Sequence, residues 1–330
     1  MAVLVTGGAG YIGSHMVLAL VDAGEPVVVL DNLSTGFRWA VHPSATFIEG
    51  DVADADLVAR IVAEHDISAV VHFAARIVVP ESVADPLGYY LANTVKTRAL
   101  LDALVKADVP HMIFSSTAAV YGMVGNDPVA EDALLSPISP YGRSKLMSEW
   151  MLEDTAVATP LRYVALRYFN VAGADPAGRS GQSTAGATHL IKVACETALG
   201  KRAAMSVFGT DYPTPDGTCL RDYIHVSDLV AAHLDALNHL RRGGASGVYN
   251  CGYGRGYSVL EVIETVKAVS GVDFTVNYAP RRPGDPAAIV AKADRIRAAI
   301  GWTPRLDDLE TIVRHALDWE RSLEARKSAA

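Results

Sequence analysis

The chain has 330 residues, half of them apolar and a fifth charged, which suits a soluble globular protein of two modules or one enlarged domain. A formal net charge of −8 at pH 7 argues against nucleic acid as a partner, and no run approaches the ~18 apolar residues of a membrane span. Three widely spaced cysteines, Cys195, Cys219 and Cys251, exclude a disulfide framework; with a strand in place of a leader at the N-terminus, they predict a cytoplasmic protein.

The stretch "AVLVTGG" reads as a strand, and residues 11–23 follow as an amphipathic helix with Ile12, Met16 and Leu20 on one face. The apolar runs "PVVVLD", "TFIEGD", "SAVVHFAA", "HMIFSST" and "YVALRYFNVAG" supply further strands, with helices expected near 57–65, 91–107 and 141–156. Continuous apolar strands alternating with helices mean a parallel sheet covered on both faces, a Rossmann-type doubly wound α/β fold. After residue 171 the rhythm breaks. "ADPAGRSGQSTAGA" reads as a long surface loop, and helices near 187–199, 227–241, 258–270 and 307–323 mix with short strands. This predicts a smaller C-terminal α/β domain packed on the sheet.

"VLVTGGAGYIG" sets Gly7, Gly8, Gly10 and Gly13 between the first strand and the first helix. Glycines there let the backbone turn tightly and approach a pyrophosphate, whose charge meets the helix N-terminus. Alone, the pattern is equally an ordinary tight turn. Asp31, eighteen residues past Gly13 at the end of the second strand, adds the carboxylate that accepts from an adenosine ribose and repels a 2′-phosphate. NAD is therefore the expected cofactor. Asp51 and Val52 end the third strand, where adenine would lie, and Phe73, Ala74 and Ala75 end the fourth beside the cofactor backbone.

"PYGRSK" places Tyr141 and Lys145 one helical turn apart, on one face of a helix. "FSSTAAVYG" delivers Ser115, Ser116 and Thr117 to the same sheet edge. A tyrosine with a pKa of about 10 is a poor base, but a cation at ~4 Å contributes roughly 4 kcal/mol at an effective dielectric of ~20. That is about three pKa units, which brings the phenol near 7. Tyr141 is the expected base.

The set "TGGAGYIG", Asp31, "SSTAAVYG", Tyr141 with Lys145, and "RYFNVAGA" resembles the extended short-chain dehydrogenase/reductase family, over almost the whole chain. More narrowly, "LDNLSTG", "FGTDYPTPDGTCLRDYIHVSDL" and "RRPGD" are similar to its members that epimerise UDP-hexoses at C4. The resemblance implies that Tyr141 takes the proton of the sugar 4-hydroxyl while a hydride passes from C4 to bound NAD, and that the 4-keto sugar turns over before the hydride returns. Lys145 would then support the phenolate and hold the nicotinamide ribose, and Thr117 would link phenol and sugar. The cofactor set it implies adds Tyr11, Ile12, Asn32, Leu33, Ser34, Thr35, Gly36, Asn93, Ser115 and Phe169 to the residues above. The implied UDP-sugar contacts are Asn170, His189, Leu190, Ser206, Val207, Phe208, Arg221, Arg282 and Asp285, with the arginine forks on the diphosphate.

The implied domains are an NAD-binding one at 1–170, rejoined by a segment near 222–250, and a UDP-sugar-binding one at 171–330. Some relatives carry a lysine where this chain has Ile77, or an asparagine where it has His189, and Ile289 stands where relatives gate sugar size. A 4,6-dehydratase or decarboxylase would carry an acid just after the strand-five hydroxyls, where this chain reads Thr117-Ala118-Ala119. A dinucleotide-sensing protein without turnover would need neither the Tyr–Lys pair nor the arginines. With no HxH or HExxH, no metal is expected. The resemblance implies a homodimer through the helices near 91–107 and 141–156.

Overall fold

A computed structural model describes residues 1–282 and 284–329. In chain order the elements are β1 (Ala2–Thr6), α1 (Tyr11–Asp22), β2 (Val27–Asp31), β3 (Thr46–Glu49), α2 (Ala55–His65), β4 (Ile67–His72), α3 (Val79–Ala84), α4 (Pro86–Tyr89), α5 (Lys96–Lys106), β5 (His111–Ser115), α6 (Pro140–Ala158) and β6 (Arg162–Tyr168). There follow β7 (Asn170–Ala172), α7 (Leu190–Ala198), β8 (Met205–Phe208), β9 (Leu220–His225), α8 (Val226–Arg241), β10 (Gly247–Cys251), β11 (Gly256–Ser258), α9 (Val259–Ser270), β12 (Val276–Ala279), β13 (Ala288–Ile289), α10 (Asp294–Ile300) and α11 (Leu309–Ala329).

The main sheet runs β10-β6-β5-β4-β1-β2-β3, every pairing parallel. β1 shows why its strands read as unbroken apolar runs. Val3 and Val5 enter one core with Met16, Leu20, Leu229 and Leu237, whereas Leu4 enters the other with Val28, Val70, Ile61, Leu100 and Leu104. Both faces are covered by helices, so alternation has no polar side to record. The winding reverses about β1: β2 and β3 are added to one side and β4 onward to the other. The crevice above the β1–β4 boundary is where such sheets bind ligands.

α1 is more deeply set than its single predicted face implies. Val17 and Leu18 are buried alongside Met16 and Leu20, because α8 packs along it. The helix expected over 91–107 is two pieces: a π-helical turn over Tyr90–Val95 leads into α5. Of the segment 222–250, α8 and β10 rejoin the main layer, while β9 lies in a second sheet with β11, β13 and β7. β8 pairs with β12 alone. A third core, from α7, α9 and α11, fills the space behind these strands with Ile191, Val262, Val266, Ile312 and Val313. The stretch 174–187 forms no helix or named strand, as expected of a loop, but it is tied to the rest of the chain. Arg179 bridges Asp22 at 2.9 Å and Asp175 at 2.8 Å, and the buried Ser180 meets Ser14 at 2.7 Å.

Candidate active site

At the β1–α1 turn, Gly7 has φ +70°, and a Cβ on it would stand 2.7 Å from the Ala74 nitrogen. A Cβ on Gly13 would lie 2.1 Å from the Gly7 carbonyl oxygen. Only glycine lets these segments meet. The first turn of α1 has no side-chain cap and no acidic residue, so its N–H groups face the crevice unneutralised. Asp31 braces the turn: Oδ2 accepts from Ala9 N at 2.9 Å and Oδ1 from Leu33 N at 2.8 Å. Leu33 takes φ +55°, which swings Asn32, Ser34, Thr35 and Gly36 back toward the glycine turn, where Phe37 N donates to Ala9 O at 2.9 Å. A bare helix N-terminus, a turn that a Cβ would fill and a carboxylate at the next strand end together fit a dinucleotide.

Other cofactor-side residues have work inside the chain. The Asp51 carboxylate pairs with Lys96 and accepts from Ala53 N at 2.9 Å, and Val52 is buried in the second core. Phe73 packs on His233 with ring centroids 4.9 Å apart. Asn93 spends both amide hydrogens on Arg76 O (2.9 Å) and Ser144 Oγ (3.0 Å), and its Oδ1 accepts from Arg76 N. The π-turn thus pins the strand-four loop to α6. Tyr11 donates to Gly173 O at 2.7 Å, which ties α1 to the loop after β7, while Ile12 packs against the first core. Ala75 lies half-buried beside Ala74. Arg76 turns away to Asp85 at 2.7 Å, and Ile77 is 54 % exposed.

α6 opens with Ser139, whose Oγ accepts from Gly142 N at 3.1 Å, and with Pro140 in its first turn. This cap sets Tyr141 and Lys145 on the buried face of the helix beside the end of β5. Lys145 Nζ donates to the Ser115 carbonyl at 2.8 Å and lies 4.9 Å from the Phe114 ring centroid. The Thr117 hydroxyl faces the Tyr141 phenol and acts to lower its pKa. Ser115 Oγ meets Tyr168 OH. Phe169, Ile289 and Ala118 share a small core at this strand end with Tyr121.

The electrostatics correct the expected phenol near 7. Burial pushes the Tyr141 pKa up, with the Thr117 hydroxyl opposing it, and burial pushes Lys145 down to about 7 with Glu149 opposing. Desolvation acts on both groups, and the ammonium is aimed at a carbonyl, so the lysine does not dominate the phenol in the bare chain.

The second half holds the remaining expected residues. One cleft joins Asn170, His189 and Leu190 with Gln182, Tyr223 and Trp319, and Gln182 Nε2 lies 2.8 Å from His189 Nδ1. On β8, Ser206 is exposed and the Val207 side chain is buried in the third core, which leaves Val207 only its backbone groups for any contact. Phe208 lies beneath Arg282, whose guanidinium carbon stands 3.8 Å from the ring centroid. Arg221 donates to Leu220 O and Pro286 O at 2.8 and 2.9 Å, with Asp285 at 3.9 Å. Pro283 of "RRPGD" lies outside the described residues. Among those residues no group of three or more His, Cys, Asp or Glu is placed to hold a metal.

Sequence reading missed a buried network behind the site. Glu149 accepts from Ser116 Oγ and is gripped by Arg167 through Nε at 3.0 Å and Nη2 at 2.6 Å. Arg167 Nη1 donates to Tyr121 OH at 3.1 Å, and Tyr121 donates to Asn250 at 2.6 Å. The available signal was a charged residue inside the otherwise apolar run of β6, since buried arginine needs a partner.

Residues 3–252 match the sequence pattern of the NAD dependent epimerase/dehydratase family. The chain belongs to that family. Its relatives include a UDP-glucose 4-epimerase of Azospirillum brasilense, 59 % identical over 98 % of this chain and 92 % of that one. A solved UDP-glucose 4-epimerase of Brucella ovis in complex with NAD is 44 % identical, covers 96 % of this chain and 97 % of its own, and superposes with a TM-score of 0.94. The Bifidobacterium longum UDP-glucose 4-epimerase in complex with NAD+ and UDP is 38 % identical over 98 % of both chains, with a TM-score of 0.92. For this epimerase/dehydratase, NAD is the cofactor.

Proposed function

We propose that this chain interconverts UDP-glucose and UDP-galactose by reversible oxidation at the sugar C4, through a 4-keto sugar held in the crevice. The observation that carries the reading is the cluster at the end of β5, where Tyr141, Thr117 and the Lys145–Ser115 pair converge on the same sheet edge as the glycine turn. NAD, when bound, supplies the oxidant at C4 and is restored in each cycle. Tyr141 takes the 4-hydroxyl proton, and Thr117 holds the phenolic oxygen and the sugar hydroxyl in one line. Lys145 holds its Nζ on the Ser115 carbonyl at the crevice floor; in so dry a site, each added charge or hydrogen bond acts strongly on the phenol. Domain 1–170, with α8 and β10 returned to it, binds NAD. Domain 171–330 binds the UDP-sugar, with Asn170, His189 and Leu190 in the cleft, Ser206 and Phe208 on β8, and Arg221, Arg282 and Asp285 at the diphosphate.

The same reading makes the chain a cytoplasmic homodimer. Its three cysteines are unpaired and buried, and α3, α4, the π-turn and α6 expose a run of large apolar side chains. Purified protein given UDP-galactose without added NAD is expected to form UDP-glucose. A mixture left unchanged, or a 4-keto-6-deoxy product, sinks the reading; the second outcome is disfavoured by Ala118 and Ala119, which offer no acid beside the hydroxyls.

A further inference from the structure

We propose that Glu149 is a positioning residue for this reaction: through Ser116 it fixes the strand end that orients Lys145 and Tyr141. The inference rests on the proposed function. Glu149 follows Lys145 by one turn of α6 and is buried, as are Arg167 and Ser116. Its two oxygens are satisfied by the Arg167 fork and the Ser116 hydroxyl. Ser116 stands between the two residues beside the proposed chemistry: Ser115, whose carbonyl receives Lys145 Nζ at 2.8 Å, and Thr117, whose hydroxyl faces the Tyr141 phenol. Holding Ser116 Oγ therefore fixes the backbone on both sides of it. Arg167 carries the anchor on to Tyr121 and Asn250, so α6, the end of β5, β6 and β10 share it.

A purely structural ion pair would not need this hydroxyl link. Buried pairs are often replaceable by apolar residues without loss of stability, so stability alone does not explain the arrangement. Glu149 also supplies charge. It opposes the burial that discharges Lys145. The groups facing Lys145 are Tyr141 and Glu149 on its own helix, His72 from β4, and the Ser115 carbonyl with the Phe114 ring from β5. His72 is buried and held neutral, its pKa pushed down to about 3. That leaves Glu149 as the anion that favours the ammonium.

Two folded variants test this. Glu149→Gln with Arg167→Met removes the carboxylate without stranding a buried guanidinium, and Ser116→Ala breaks the link while leaving the ion pair whole. Each is compared with wild type for kcat and KM on UDP-galactose. Lys145 ionisation is followed by NMR of lysine labelled at Cε, assigned with Lys145→Arg. The double variant is expected to lower kcat about a hundredfold with KM within twofold, and to move the Lys145 midpoint down by about one pH unit, a tenfold change in its equilibrium. Ser116→Ala is expected to lower kcat about tenfold, again with little change in KM. Wild-type kcat in Ser116→Ala, or an unmoved Lys145 midpoint in the double variant, overturns the proposal. Because the titration needs no substrate, a wild-type protein inert on UDP-galactose would remove the reading of function while the midpoint still decided the role of Glu149.

Discussion

Tyr141 and Lys145 are each buried at a cost that folding alone does not repay. The Lys145 pKa of about 7 lies below the 10.5 of the unfolded chain, so the unfolded state binds more protons between those values. The lysine therefore weakens the fold fully below pH 7, and the penalty fades as pH rises toward 10.5. Lys145→Met is expected to raise the melting temperature at pH 6 and to raise it less at pH 10; equal melting curves at both pH values would refute the assignment. The same variant should lose turnover, the usual sign of a site held against its own stability. Tyr141→Phe removes one oxygen and no packing. Its kcat is expected to fall on the order of 10²-fold or more with the melting temperature unchanged. Undiminished turnover would end the case for Tyr141 as the base.

At the scale of elements, α6 shows how a helix start positions the proposed base. Ser139 caps it, Pro140 presets its first turn, and Tyr141 sits in that turn. Ser139→Ala is expected to cost about 1 kcal/mol in chemical denaturation and to lower kcat more than KM, because fraying displaces the phenol and leaves the UDP contacts alone. Equal effects on both constants would contradict it. Much of this was legible beforehand. β1 to β6 announce themselves because both faces of the sheet are covered, and the glycine turn, Asp31 and the Tyr–Lys spacing are local patterns. What was not legible depends on distant partners. A π-turn over 90–95 has almost the apolar pattern of an α-turn, and only the Asn93 contacts to Arg76 and Ser144 reveal why it is there. The drop of Lys145 to about 7 needs three-dimensional burial, which spacing along a helix does not supply.

The whole molecule carries two consequences that no single site shows. Four histidines, His15, His72, His225 and His233, are buried, with pKa values pushed down to about 4, 3, 3 and 4 from the 6.5 of an exposed ring. The unfolded chain takes up their protons first, so stability is complete above about pH 6.5 and is lost as pH falls toward 4. Each contributes about 1.4 kcal/mol per pH unit within its window. Asp222, raised to about 6 by burial, acts in the opposite sense over part of that range, but one carboxylate does not offset four imidazoles. The urea midpoint is expected to drop steeply between pH 6.5 and pH 4.5; a flat midpoint would mean that these rings titrate normally.

Assembly follows from a surface rather than a site. Val83 on α3, Leu87 on α4, Leu91 and Val95 on the π-turn, and Met147 and Trp150 on α6 are all exposed, Leu87 at 79 %. These elements pack against one another around α6, so the six side chains lie on neighbouring elements rather than being scattered singly, and clustered apolar exposure marks an interaction surface. The occupant proposed for this face is a second copy, since a two-fold seam would set the same helices against each other. Each large apolar side chain covered contributes roughly 1.5–3 kcal/mol, so two buried charges suffice to open the seam. Light scattering is expected to give the mass of two chains for the wild type and of one for Leu91→Glu combined with Trp150→Glu. A wild-type protein that scatters as a single chain at micromolar concentration would refute the seam. A variant that remains paired would place it elsewhere on the surface.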